Sequence, residues 1–172
     1  MIIRKATVDD AEKLLSIYAP YVLKTAISFE YEVPSVEEFK QRIESISEKY
    51  PYLVAENNGE VVGYAYAGVF KDRAAYSHCV ETTVYVKQNA KRCGIGRKLY
   101  ERLEKELKAI GIINLYACIA YTQAEDANLT NDSAAFHEHM GYRMIGVFNK
   151  CGRKFGKWYD MVWMEKFIGK HE

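Results

Sequence analysis

The segment His78-Cys79-Val80-Glu81-Thr82-Thr83-Val84-Tyr85-Val86, then Lys91-Arg92-Cys93-Gly94-Ile95-Gly96-Arg97, then a run to Ile110, decides how this chain folds. The first part is rich in β-branched and aromatic residues and predicts a strand. The second packs two glycines and three positive charges into seven residues. From Ile95 the apolar residues Leu99, Leu103, Leu107 and Ile110 recur at the spacing of one helical face. Strand, glycine loop and helix in that order place backbone N–H groups at a helix N-terminus, where anions bind. The loop is neither a Walker motif nor a dinucleotide fingerprint, since it lacks the GK[ST] ending and the third glycine. By pattern alone it is either a phosphate site or a plain strand–helix turn.

Upstream, Ile2–Lys5 predicts a short strand, and Thr7 to Asp10 has the form of a capping box. Ala11, Leu14, Leu15, Tyr18 and Val22 mark a helix face that Pro20 is expected to bend or interrupt. Thr25–Val33 is an extended loop. Pro34-Ser35 opens a second helix carrying Val36, Phe39, Ile43, Ile46 and Tyr50. Two strands, Tyr52–Glu56 and Glu60–Phe70, flank Asn57-Asn58-Gly59, a hairpin signal. Gly63 and Gly68 inside the second strand suggest a bulge or a close backbone approach.

Downstream, Gly111 ends the central helix. Ile112–Ala120 follows as a buried strand, Gln123–Thr130 as a loop, and Ser133–Met140 as a short helix. Tyr142–Phe148 and Trp158–Glu165 are the last strands, joined by a basic turn over Lys150–Lys157. This order predicts one α/β (α+β) domain over residues 1–172, with about seven mostly antiparallel strands and helices on both faces.

Composition narrows the function. A net charge of +1 leaves no footprint for bulk nucleic-acid or membrane binding. No apolar run reaches the roughly 18 residues of a membrane span. The four cysteines form no CxxC pair, and with no leader-like apolar start they indicate reduced thiols in the cytoplasm.

Two side chains stand out chemically. Alternation puts Glu81 on one strand face with Cys79, Thr83 and Tyr85. It is either a solvated or ion-paired glutamate or a general base whose pKa a partly apolar site raises. His137 and His139 lie about 200° apart around a helix, so they do not share a metal, and no metal site is expected.

At these residues the chain resembles the GNAT superfamily of N-acyltransferases. The superfamily loop [Q/R]-x-x-G-x-[G/A] is met by Lys91-Arg92-Cys93-Gly94-Ile95-Gly96, with lysine in the first place. Within the superfamily the chain is similar to the phosphinothricin N-acetyltransferase group. That likeness runs through Ser28–Glu32, Tyr52–Glu56, Gly63–Gly68, Val80–Val86, His137–Tyr142 and Lys154–Trp158. The resemblance implies a GNAT fold and an acetyl-CoA-dependent enzyme that acetylates the amine of a small amino-acid-like acceptor, such as phosphinothricin or methionine sulfoximine or sulfone. Its implied alternatives are acetylation of a protein N-terminus or lysine, and a non-catalytic CoA-binding domain.

The resemblance also implies roles for residues. The N–H groups of Arg92, Cys93, Gly94, Ile95, Gly96 and Arg97, with Lys91, hold the pyrophosphate. The pantetheine pairs with Val84, Tyr85 and Val86, and an N–H near Tyr85 polarises the thioester. Glu81 is the base, and His137 either protonates the leaving thiolate or orients the site. Arg73 binds the acceptor's acidic group, with Phe29, Glu30 and Tyr76 as pocket walls. Relatives carry P-N-x-x-S before the histidine, the asparagine touching CoA. Here there is no proline, Thr130 stands in the asparagine's place, and Asn131 is one residue off. A homodimer is implied as well.

Overall fold

The computed structural model describes residues 1–172. Seven strands make one sheet in the order β1-β2-β3-β4-β5-β7-β6. These are β1 (Ile2–Lys5), β2 (Tyr52–Asn57), β3 (Glu60–Val69), β4 (Cys79–Val86), β5 (Asn114–Tyr121), β6 (Arg143–Lys154) and β7 (Lys157–Phe167). Only β4 and β5 run parallel; every other neighbour pair is antiparallel. The expected mixed, mostly antiparallel sheet is what forms.

Helices cover both faces. α1 (Ala11–Lys24) and α2 (Val36–Ser47) bury Leu14, Tyr18, Phe39 and Ile43 against Val54, Val61 and Tyr64. On the other face α3 (Ile95–Ala109) buries Leu99, Leu103 and Leu107 against Ala65, Val80, Leu115 and Val162, and α4 (Asp132–His139) adds Ala134. Ile110 does not join that face and is exposed. The helix ends first: the N–H of Ile112 bonds the Leu107 carbonyl and that of Gly111 the Lys108 carbonyl, with Gly111 at φ +84. This closure drops Ile112 into the core in its place.

Pro20 does not interrupt α1, which continues to Lys24. Burial of Ile17, Tyr18, Tyr21 and Val22 on both sides of the proline holds the helix through it. The basic stretch Lys150–Lys157 is mostly strand rather than turn. The reversal is confined to Phe155 and Gly156, at φ +51 and +74, and a bulge falls between Phe148 and Gly152. The Lys154 ammonium is buried and donates to the carbonyls of Val22, Thr25 and Ser28 at 2.7, 2.9 and 2.7 Å. A cation there satisfies carbonyls at the C-terminal end of α1 and ties the β6–β7 hairpin to the loop after the helix.

The two β3 glycines differ. A Cβ at Gly63 would lie 3.0 Å from the Tyr85 carbonyl and 3.1 Å from Ile95, so this glycine serves the close approach of α3. Gly68 shows neither bulge nor close approach. A Cβ there would meet nothing within 4 Å.

Candidate active site

The site begins where a ladder fails. β4 and β5 are in register only for Cys79–Asn114, Val80–Leu115 and Glu81–Tyr116, although both strands run five residues further. Thr82, the next residue of β4, donates its hydroxyl to the Tyr116 carbonyl at 3.2 Å. A hydroxyl has one proton, so the contact between Thr82 and Tyr142 at 2.9 Å runs from the Tyr142 hydroxyl. These side chains occupy the place of the next backbone rung. The strands part into a cleft of about 210 Å³ lined by Glu81, Thr83, Val84 and Tyr85 on one side and Ala117–Ala120 on the other, with Tyr66 and His137.

Glu81 is half-buried at the apex and has no hydrogen-bond or ion-pair partner. Loss of solvent raises its pKa above the ordinary glutamate value, and the nearby charge of Lys71 partly opposes the rise. That combination suits a carboxylate that exchanges a proton with a ligand.

Past the end of β4, Arg92 and Gly94 adopt φ +63 and +75, turning the chain into α3. The first bond of the helix runs from the Lys98 N–H to the Gly94 carbonyl, so the amides before Lys98 have no carbonyl of their own helix to meet. Lys91 lies over the Tyr21 ring at 5.1 Å, and Arg97 contacts His139. Ile95 packs its side chain into the core. Gly96 has a packing reason for being glycine: a Cβ would approach Phe136 to 3.2 Å. Of the β4 tail, the Val86 carbonyl accepts from the Tyr21 hydroxyl at 2.6 Å and is therefore engaged, while Val84 and Tyr85 line the cleft.

The other candidates, Phe29, Glu30, Arg73 and Tyr76, lie outside the lining of that cleft. The Phe29 ring lies on Gly152, where a Cβ would fall 2.3 Å from it. The Glu30 carboxylate accepts from Tyr18 at 2.8 Å and Arg42 at 2.7 Å, so it anchors the α1–α2 loop. Phe70 stacks on Tyr116 at 4.3 Å, with Tyr76 and Trp163 edge-on at 5.8 and 5.6 Å. Arg73 is exposed and makes no ion pair.

His137 is 4% exposed. Its Nδ1 contacts the Ser133 carbonyl at 2.7 Å, which accepts only, so Nδ1 carries the proton. Nε2 is then the acceptor for the Tyr100 hydroxyl at 2.9 Å. Burial lowers its pKa from 6.5 to about 4, and the ring is neutral at neutral pH. Asn131 uses both ends of its amide on the backbone of Thr122, at 3.2 and 2.9 Å.

Residues 3–163 match the family described as Acetyltransferase (GNAT) domain. The chain belongs to the GNAT acetyltransferases. It is 36% identical over 167 residues to the phosphinothricin N-acetyltransferase of Streptomyces viridochromogenes, covering 96% of this chain and 87% of that one. A crystal structure of a GNAT superfamily phosphinothricin acetyltransferase from Sinorhizobium meliloti in complex with AcCoA superposes with a TM-score of 0.89 at 32% identity. It covers 98% of this chain and 88% of that one. The structure of a ribosomal-protein-alanine N-acetyltransferase from Brucella melitensis gives a TM-score of 0.88 at 34% identity, over 97% of this chain and 99% of that one.

In this GNAT chain the sequence-derived candidates divide. Glu81, Val84, Tyr85 and His137 come together in the cleft, and Lys91–Arg97 form the loop beside it. The side chains of Glu30, Asn131 and His137 already have protein partners. Sequence reasoning missed Lys71, the Thr82–Tyr142 pair, the Tyr100–His137 bond and the Phe70–Tyr116 stack. Register would have found one of these: once Glu81 is set opposite Tyr116, that ring shares its face.

Proposed function

We propose that this GNAT enzyme transfers the acetyl group of acetyl-CoA to the amine of a small amino acid or analogue such as phosphinothricin, methionine sulfoximine or methionine sulfone. The observation that carries this is the unpartnered Glu81 carboxylate at the apex of the split strands, with an anion loop on one side and the Lys71–Arg73 turn on the other. The left-handed turns at Arg92 and Gly94 and the amides ahead of Lys98 fit a diphosphate, with Lys91 and Arg97 beside them. Acetyl-CoA supplies an activated acyl thioester. Glu81 takes the proton of the incoming ammonium, directly or through water, because an amine with a pKa of about 8 or more has no free electron pair while protonated. Free N–H groups of the β4 tail near Tyr85 face the developing oxyanion. Arg73 and Lys71 attract the acceptor's acidic group, and Phe29 and Tyr76 wall the pocket.

His137 has a positioning role in this proposal: it holds Tyr100 and the first turn of α4, and as a neutral ring with its one proton on Ser133 it has none to give a thiolate. Asn131 contributes by fixing the loop to the end of β5.

The test is steady-state thiol release from acetyl-CoA with free amino acids, the three analogues and short peptides. Turnover with small amines supports the reading; turnover with peptides alone sinks it. The peptide arm matters because the Brucella relative is named for a ribosomal-protein alanine.

Residues 1–172 are proposed to form one GNAT domain, working in the cytoplasm as a homodimer. The edge strand β6 supports the dimer, since it exposes Met144, Ile145, Val147 and Phe148, and the cytoplasm is supported by four unpaired cysteines. Light scattering at twice the 19.8 kDa chain mass checks the dimer.

A further inference from the structure

Gly68, Glu81 and Tyr116 stand in one row across three strands, because Gly68 pairs with Glu81 and Glu81 with Tyr116. Residues directly opposite in a ladder point to the same face, and neighbouring strands are about 4.8 Å apart. The two cross-strand neighbours of an amine bonded to Glu81 are therefore the positions of Gly68 and Tyr116. The Tyr116 position is filled by a ring stacked on Phe70 at 4.3 Å. The Gly68 position is open: a Cβ added there would meet nothing within 4 Å, and no positive φ demands glycine. Backbone geometry and packing thus give no reason for a glycine there, in contrast to Gly63 on the same strand.

We propose that the open position at Gly68, bounded by Tyr66, Phe70 and Glu81, receives the carbon skeleton of the acceptor and sets its permitted size. The inference rests on the proposed small-amine acceptor. Methylene groups lying over Gly68 contact the Phe70 ring, and the far end of a short side chain runs along β3, past Val69, toward the β3–β4 turn, where Lys71 and Arg73 sit.

Gly68→Ala and Gly68→Val test it, alanine as the mild case and valine as a residue at home in a strand. Both are expected to melt within a few degrees of the parent and to keep its KM for acetyl-CoA. One surplus methylene in a binding slot is worth roughly tenfold or more in specificity. The acceptor kcat/KM is therefore expected to fall about tenfold in Gly68→Val for long-chain acceptors, less in Gly68→Ala, and least for glycine as acceptor. A merely structural glycine would not produce that dependence on acceptor length. Parent turnover with Gly68→Val unchanged for every acceptor overturns this inference alone. Absence of parent turnover with every free amino acid overturns the proposed acceptor class, and the slot with it.

Discussion

On one side of Glu81 the cleft is made of backbone, and on the other it is made of side chains from distant segments. The proposed donor side is a single continuous stretch, from the β4 tail through Arg92 and Gly94 into α3, and its groups are amides that any sequence able to take those dihedral angles provides. The proposed acceptor side draws Phe29 from the α1–α2 loop, Phe70 to Tyr76 from the β3–β4 connection, Tyr116 from β5 and Trp163 from β7. A backbone site tolerates change in side chains and fails when a dihedral angle is lost. A convergent site keeps its frame while single contacts change, which leaves acceptor choice free to vary over a fixed donor machinery.

The largest effect is expected at the boundary between the two. Glu81→Gln should lower kcat/KM for every accepted amine by about 10²–10⁴-fold, the range of general-base catalysis, with the KM for acetyl-CoA unmoved. The base works as the carboxylate, so parent activity falls as pH drops through the Glu81 pKa, and burial places that inflection above the ordinary glutamate value. A pH–rate profile of the variant that keeps the same inflection would remove Glu81 from the reaction.

The donor side is broken next. Gly94→Val forces a β-branched residue to φ +75, which costs about 1–2 kcal/mol of stability. A misaligned amide loses a charge-assisted bond of about 1.5–3 kcal/mol, so the KM for acetyl-CoA should rise tenfold or more while acceptor KM stays near that of the parent. Equal changes in both would show that the two sides are not separable.

A pH dependence of stability follows from His137. Its pKa is depressed in the folded protein from 6.5 to about 4, so between those values the unfolded chain binds the extra proton. Stability is therefore expected to fall as pH drops from about 6.5 to 4. His137→Asn should flatten that part of a denaturation-versus-pH curve; an unchanged slope would place the proton elsewhere.

The smallest effect tests the anchor of the acceptor loop. Arg42→Ala removes a half-exposed partner of Glu30, a pair worth about 1 kcal/mol or less. A rise of a few-fold in acceptor KM, measured beside an unaltered acetyl-CoA KM, is the expected outcome.

What is legible in the sequence follows the same division. The strand, the glycine loop and the α3 face are local patterns, and Gly111 and Asn58-Gly59 do what their positions announce. Glu81 stands out as a carboxylate of interest, but its lack of a partner depends on the β4–β5 ladder ending at its own position. Pro20 misleads because burial on both flanks outweighs one missing N–H. The glycines and charges of Lys150–Lys157 suggest a turn, whereas Lys154 points inward to cap α1 from a distant part of the chain. The resemblance makes Glu30 a pocket wall and sets Asn131 one residue from the CoA-contacting asparagine, and only three-dimensional proximity reveals Arg42, Tyr18 and Thr122 as their partners.

The Thr82–Tyr142 substitution for a backbone rung has a mechanical consequence. Two strands joined at one end and held apart at the other behave as a pair of arms, and Glu81 lies at the fulcrum. The outer ladders, β3 on β4 out to Val86 and β7 on β5 out to Tyr121, hold the arms apart along their whole length. The opening is thus a fixed wedge rather than a gap that must be made, and the carboxylate proposed as the base sits at its narrow end.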